Sequence, residues 1–140
     1  MIIRVATEED LTYINSFATI VQNEATGGYL KGIDGSKLNG PGIKEYWVLE
    51  ETNQVCGWIL VGESRAPFTG EATAMIFELY VLPQFRGNGY ATFLMNAAIN
   101  HFKIRGYTKA HLNVFAQNPA KRIYDKLGFY DVATVMEKIL

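Results

Sequence analysis

The sequence predicts one α+β domain. Three observations lead there. Some segments are short strand-like runs rich in β-branched and aromatic residues, and in others apolar residues recur at helical spacing. The resulting order of elements is β-α-(α)-β-β-β-α-β-α-β, and no internal repeat, low-complexity tract or linker divides the chain. At 140 residues, 49% hydrophobic and 19% charged, the chain has the length and composition to bury one real core.

Ile2–Val5 reads as a short strand, its β-branched residues followed by a polar break. Thr7 reads as an N-cap, with Glu8, Glu9 and Asp10 placing negative charge on the first helical turn. Leu11, Ile14, Phe17 (or Ala18) and Val21 recur at helical spacing, which predicts a helix to about Glu24. Residues 27–42 are rich in glycine, so any second helix, over residues 36–44, has to be short.

Residues 46–51 and 55–62 are strand-like runs on either side of Thr52-Asn53-Gln54, a hairpin pattern. A connection over residues 65–70, with Pro67 and Gly70, leads to a third long strand at 72–82, stopped by Pro83. After a glycine-bearing loop, Ala91, Leu94, Met95, Ala98, Ile99 and Phe102 keep a 3.6 period until Gly106 ends the helix. Residues 111–115 form another strand. Asn118-Pro119 opens a short helix carrying Ala120, Ile123 and Leu127, closed by Gly128, and residues 130–140 form one or two last strands.

Charge and cysteine content narrow the function classes. A formal net charge of -1 provides no basic field for a phosphate backbone, so nucleic acid is not an expected partner. Cys56 is alone, cannot form an internal disulfide, and sits in an apolar strand where it reads as core; a reducing compartment fits it. No apolar run approaches the roughly 20 residues that span a bilayer. The first residues also lack the order of a signal peptide. A cytoplasmic protein with neither a membrane partner nor a metal is the expectation.

The chemistry gathers in the stretch from Glu78 through Leu79, Tyr80, Val81, Leu82, Pro83, Gln84, Phe85, Arg86, Gly87, Asn88, Gly89 and Tyr90 to Ala91. It describes a buried strand, a proline stop, a tight glycine loop and a helix start. A helix start leaves backbone N–H groups without partners and carries the positive end of the macrodipole. Glycines let such a loop approach an anion closely, and a pyrophosphate is the natural ligand. An ordinary strand-to-helix turn would use the same glycines for geometry alone. No Lys-Ser or Lys-Thr follows, which excludes a Walker loop, and the spacing is not the dinucleotide fingerprint.

Arg86-Gly87-Asn88-Gly89-Tyr90-Ala91 after Val81-Leu82-Pro83 resembles the acetyl-CoA-binding motif of the GNAT superfamily of N-acetyltransferases. Gln84 to Gly89 matches the same pattern in a second register; both registers use the amides of residues 86–89. Downstream, Asn118-Pro119-Ala120 with Tyr124 and Leu127-Gly128-Phe129 resembles that superfamily's second signature. The resemblance implies a central mixed, mostly antiparallel sheet flanked by helices. It implies acetyl-CoA as co-substrate and a primary amine as acceptor, attacking directly in a ternary complex.

By the same resemblance, the amides of Arg86, Gly87, Asn88, Gly89, Tyr90 and Ala91 would hold the CoA pyrophosphate. The backbone of Leu79, Tyr80 and Val81 would pair with the pantetheine arm, the Val81 amide also polarising the thioester carbonyl. Asn118 would contact the pantetheine, and Tyr124 would protonate the departing thiolate. A phenol near ~10 is protonated at neutral pH and a thiol sits near ~8.5, which suits that role. Each residue also has a plainer reading: Arg86 as a solvated surface side chain, Asn118 as a helix N-cap, Tyr124 as a half-buried helix tyrosine.

An amine near ~10.4 is protonated at neutral pH, so attack needs a proton acceptor, directly or through water. Glu78, on the strand adjoining the thioester, is the first candidate, against an exposed strand glutamate without duty. His111 on the next strand is the second. Ribosomal-type N-terminal acetyltransferases often carry a glutamate on that later strand, where Asn113 stands here. His101, on the long helix, is expected to face solvent. A non-catalytic acyl-CoA sensor is the alternative from another class, and a protein-interaction domain that binds no CoA is a third. Residues 23–45 and 65–70 would recognise the acceptor, and their mixed charges leave a small-molecule amine and a protein amine both open. A homodimer is in keeping with the resemblance.

Overall fold

The computed structural model describes residues 1–30 and 43–140. Its sheet grows from the hairpin at Thr52-Asn53. Both residues are left-handed, φ 51° and 61°, the two-residue turn whose twist suits the strands it joins. Those strands are β2 (Ile43–Glu51) and β3 (Gln54–Arg65), each longer than its predicted run. With β1 (Ile2–Val5), β4 (Ala72–Val81) and β5 (Ala110–Leu112) they form one sheet in the order β1-β2-β3-β4-β5. All neighbours are antiparallel except β4 and β5, which are parallel because α3 (Tyr90–Ile104) crosses over between them. The sheet is therefore mixed and mostly antiparallel, as expected.

Side-chain alternation sends the two faces of the sheet to different helices. On one face Trp47, Leu49, Ile59, Val61, Ala74 and Ile76 meet Leu94, Met95, Ala98 and Phe102 of α3 and Tyr124 of α4 (Lys121–Lys126). On the other, Val48, Trp58 and Tyr80 meet Ile14 of α1 (Glu8–Asn15) and Val21 of α2 (Ala18–Ala25). Gly62 is required by close approach: a Cβ there would lie 1.8 Å from the Ile43 carbonyl oxygen in β2.

Several predicted elements change. The single helix expected to about Glu24 is broken into α1 and α2. Ser16 Oγ donates to the Tyr13 carbonyl at 2.5 Å, competing with the helical ladder, and the Phe17 ring turns in against Trp58 at 5.7 Å. Of the short helix expected over residues 36–44, residues 36–42 lie outside the described residues and 43–44 belong to β2. The strand expected at 111–115 pairs only as far as Leu112. Residues 130–140 form no strand, because a strand needs a partner and they pair with none among the described residues.

The start of α1 confirms the predicted cap and adds an anchor. Thr7 accepts from the Asp10 amide at 3.2 Å and the Thr7 amide donates to Asp10 at 2.8 Å, a reciprocal capping box. Arg4, on β1, donates to Asp10 at 2.5 Å and to Glu50 on β2 at 2.7 Å, tying helix to sheet. These hydrogen bonds, the one from Arg4 first, lower the Asp10 pKa to about 2. A depressed carboxylate stabilises the fold above its unfolded pKa, and that contribution is lost as pH falls through about 2. Asp10→Asn is expected to cost about 1–2 kcal/mol at neutral pH, a difference that closes on acidification. Urea unfolding of both proteins at neutral and acid pH checks this; a gap independent of pH would show that the cap, not the charge, matters.

Candidate active site

The rungs joining β4 to β5 end at Ile76 opposite Leu112. At the same level β4 bulges: Val61 of β3 opposes Ile76 and Leu60 opposes Glu78, leaving Phe77 as the extra residue. Beyond it β5 turns away, so residues 77–81 have no strand on their outer edge among the described residues. The Leu82 amide donates to Cys56 of β3 at 2.9 Å, and ladder polarity alternates from there. Tyr80 therefore shares the β3 side, and the backbone groups of Leu79 and Val81 point into the opening. A Cβ on Gly57 would lie 2.5 Å from the Tyr80 carbonyl oxygen, which agrees with that polarity.

At the end of β4, a 3-10 turn over Pro83–Phe85 carries the chain round to α3. Gly87 and Gly89 then adopt φ of 84° and 76°, left-handed conformations that favour glycine. Gly89 is the residue from which α3 starts, and the first helical bond runs from the Phe93 amide to the Gly89 carbonyl at 3.0 Å. The amides of residues 90–92 precede that bond and face out of the helix end. A Cβ added at Gly87 or Gly89 would meet nothing within 4 Å, so the space before this helix end is open. Asn88 holds the loop, donating to the Phe85 carbonyl at 2.9 Å.

The side chains around the loop depart from simple expectation. Arg86 is not merely solvated: it donates to the Val81 carbonyl at 2.8 Å and to Glu24 at 2.7 Å, with its guanidinium over the Tyr80 ring. Its charge is thus directed back to the strand and α2. The Tyr80 side chain is buried against Phe17 and Trp58, so only its backbone borders the opening. Tyr90 donates to Glu51 at 3.1 Å, and Ala91 lies in the first turn of α3. Asn118 accepts from the Ala120 amide at 2.9 Å, closing a local turn ahead of α4, whose N-cap is Ala120 and not the expected Asn118.

Tyr124 is buried, 7% exposed, with Phe129 edge-on at 6.2 Å. Burial pushes its pKa up to about 12, and its hydroxyl has no hydrogen-bond partner among the described residues. It stands on the α3/α4 face. Glu78 stands on the opposite face. Tyr46, Leu60 and Glu78 oppose one another in a row across three strands. Glu78 accepts from Trp58 Nε1 at 2.8 Å and from the Tyr46 hydroxyl at 3.2 Å. It is half-buried, not an exposed strand glutamate, and lines a cleft of about 640 Å³ with Leu11, Ile14, Asn15 and Ala18.

Trp58 and Tyr46 are the residues that sequence reasoning missed. Both read locally as strand aromatics; only the register brings them to Glu78. His111 lies in β5 opposite Met75, and Asn113 is exposed beyond the ladder. His101 corrects an expectation: its ring packs edge-on against Trp47 at 4.9 Å instead of facing solvent. Cys56 is fully buried, and burial pushes its thiol pKa up, which keeps it in the core. No helix among the described residues is long and apolar enough to cross a membrane.

Comparison with known proteins gives this geometry a context. Residues 3–129 match the model of the acetyltransferase (GNAT) family. The chain is 33% identical over 95 residues to N-acetyltransferase 8F1 of Rattus norvegicus, covering 67% of this chain and 42% of that protein. It is 35% identical over 99 residues to the [ribosomal protein bS18]-alanine N-acetyltransferase of Haemophilus ducreyi, covering 70% and 65%. The match thus spans less than two thirds of either curated relative. A predicted acetyltransferase of Clostridium acetobutylicum, solved with acetyl-CoA, superposes with a TM-score of 0.72 at 24% identity, over 99% of this chain and 95% of that one.

The clamp between β3 and β4 is testable by itself. Gly57→Ala would drive a Cβ into the Tyr80 carbonyl, and overpacking of that kind costs about 1–3 kcal/mol. Urea denaturation is expected to show the loss; an unchanged midpoint would mean that β4 is free to shift.

Proposed function

The chain belongs to the GNAT acetyltransferase family, and from that premise we propose that it moves an acetyl group from acetyl-CoA to a primary amine by direct attack. The observation that carries the proposal is the notch left where β5 parts from β4, with the glycine helix start at one end and Glu78 and Tyr124 on opposite faces. The amides of residues 86–91 would receive the pyrophosphate, where left-handed glycines leave room for it. The outward groups of Leu79 and the Val81 amide would pair with the pantetheine arm as an added strand, the Val81 carbonyl being held by Arg86. Asn118, held in the turn before α4 by its bond from the Ala120 amide, would contact the pantetheine.

Acceptor and acid then enter from different sides. The amine arrives through the cleft beside α1 and α2, where Glu78, oriented by Trp58 and Tyr46, takes its proton directly or through water. The nitrogen bonds to the thioester carbon, and the Val81 amide meets the negative charge that grows on the oxygen. As the carbon–sulfur bond breaks, the thiolate takes the Tyr124 proton, and the second proton leaving the nitrogen restores the phenol through water. Burial keeps that phenol protonated, and the same dry surroundings raise the proton affinity of the thiolate, so the transfer is not steeply uphill. The bS18-alanine N-acetyltransferase of Haemophilus ducreyi makes a protein N-terminus one natural acceptor to try, beside small amines.

Tyr124→Phe is expected to lower turnover by roughly a hundredfold or more while leaving acetyl-CoA affinity nearly intact. Calorimetric titration alongside release of free CoA thiol separates the two; equal loss of binding would make Tyr124 a structural residue. Glu78→Gln should be slow at neutral pH and recover as pH rises, because the free amine fraction grows about tenfold per unit. A flat deficit would remove Glu78 from the role of base. Gly89→Glu, folded, should abolish acetyl-CoA binding. If wild-type protein itself fails to bind, the glycines serve the turn alone; binding without amine-dependent thiol release would instead mark an acyl-CoA sensor.

A further inference from the structure

Residues 23–45 mix both charges, so the sequence leaves the acceptor open. The described walls of the cleft in front of Glu78, about 640 Å³, are more one-sided. Leu60 opposes Glu78 across the β3–β4 ladder, so apolar surface begins beside the carboxylate. Leu60 and Ile14, each 4% exposed, form the buried part of that surface. Ala18 continues it along α2, and Val5 and Leu11, 55% and 42% exposed, carry it out to solvent. A mostly apolar cleft with one well-placed charge suits a ligand with an apolar body and a single polar end.

The other ionic side chains of the described walls strengthen that selection. Glu45 accepts from Trp47 Nε1 at 2.8 Å, and Trp47 belongs to the cluster on the opposite, α3 face of the sheet. The Glu45 carboxylate is thereby drawn away from the Glu78 side. Lys44 holds its ammonium 4.9 Å from the centre of the Phe77 ring, a positive charge in the same wall. A second cation on the ligand would meet that charge and apolar surface, with no second carboxylate turned toward it among the described residues.

We propose that the acceptor is a primary monoamine on an apolar carbon frame. Its ammonium pairs with Glu78, and its frame lies along Leu60, Ile14 and Leu11. Polyamines, and other amines with a second cation, are selected against. A free alkylamine and the apolar first residue of a peptide both present this chemistry. The inference rests on the proposed reaction for the use of the cleft, but the match between cleft and ligand is measurable without turnover.

Pentylamine and cadaverine share one carbon chain and differ by an ammonium at the far end. Saturation-transfer NMR on the protein with CoA present is expected to show pentylamine bound in preference to cadaverine. In thiol release, with rates referred to the free amine, kcat/KM should favour pentylamine over cadaverine by roughly tenfold or more. Leucine amide should exceed glycine amide by a similar factor. Pentylamine ahead of leucine amide points to a free amine as the source and the reverse to a peptide end; each supports the class. Leu11→Asp, at an exposed position of α1, should shift the ratio toward cadaverine and keep the circular dichroism of the fold. Pentylamine bound but never acetylated would remove the reaction and support the cleft's selectivity. Cadaverine bound or acetylated as well as pentylamine overturns the proposal and leaves the reaction in place. An unchanged ratio in folded Leu11→Asp overturns it too, as does failure of both pentylamine and leucine amide to bind.

Discussion

Backbone groups in a sheet need partners, and the outer edge of β4 loses its own beyond Ile76 as β5 turns away. That parting of two parallel strands is the constraint around which everything else is arranged. The bulge at Phe77 bends β4 at the level where the pairing stops. The ladder to β3 then decides which amides look outward: with Leu82 bonded to Cys56, Leu79 and Val81 face the gap. That edge, where Arg86 holds the Val81 carbonyl and the other outward groups face the gap, is a template for an extended ligand, and its far end meets the positive end of α3.

The two faces of the sheet give the two candidate proton-transfer groups different surroundings. Tyr124 is held between α4 and the sheet in an apolar cluster, and desolvation keeps its proton in place. Glu78 is placed among hydrogen-bond donors, facing a cleft under α1. Neither arrangement requires unusual backbone at the residue itself. Both follow from strand alternation, with the bulge setting which residues of β4 go to which side. The Arg86 side chain belongs to the same framework: by bridging Val81 and Glu24 it fastens the strand end to α2.

The anchor at Arg4 serves the same end at a distance. It joins β1, β2 and the first turn of α1, and so fixes the helix that roofs the Glu78 cleft. The break at Ser16 and Phe17 lets the following helix pack its own apolar residue, Val21, while Phe17 fills the space over Trp58 and Tyr80. An unbroken helix could not supply both.

Read by itself, the amino-acid sequence determined the order of elements from β2 to α4, the Thr7 cap, the hairpin around Thr52-Asn53-Gln54, the proline stop at Pro83 and the glycine helix start. These depend on neighbours within a few residues, and local backbone preference is enough to write them. It also determined the family, because Arg86 to Ala91 and Asn118 to Phe129 are contiguous motifs. The tertiary structure alone decided the rest. That Tyr46 and Trp58 reach Glu78 depends on the register of three strands, set by a bulge no local pattern announces. That Arg86 turns back to Glu24, or His101 onto Trp47, depends on which helix lies over which strand. Residues 130–140 show the limit most clearly: alternation makes a segment fit to be a strand, but only an available edge makes it one.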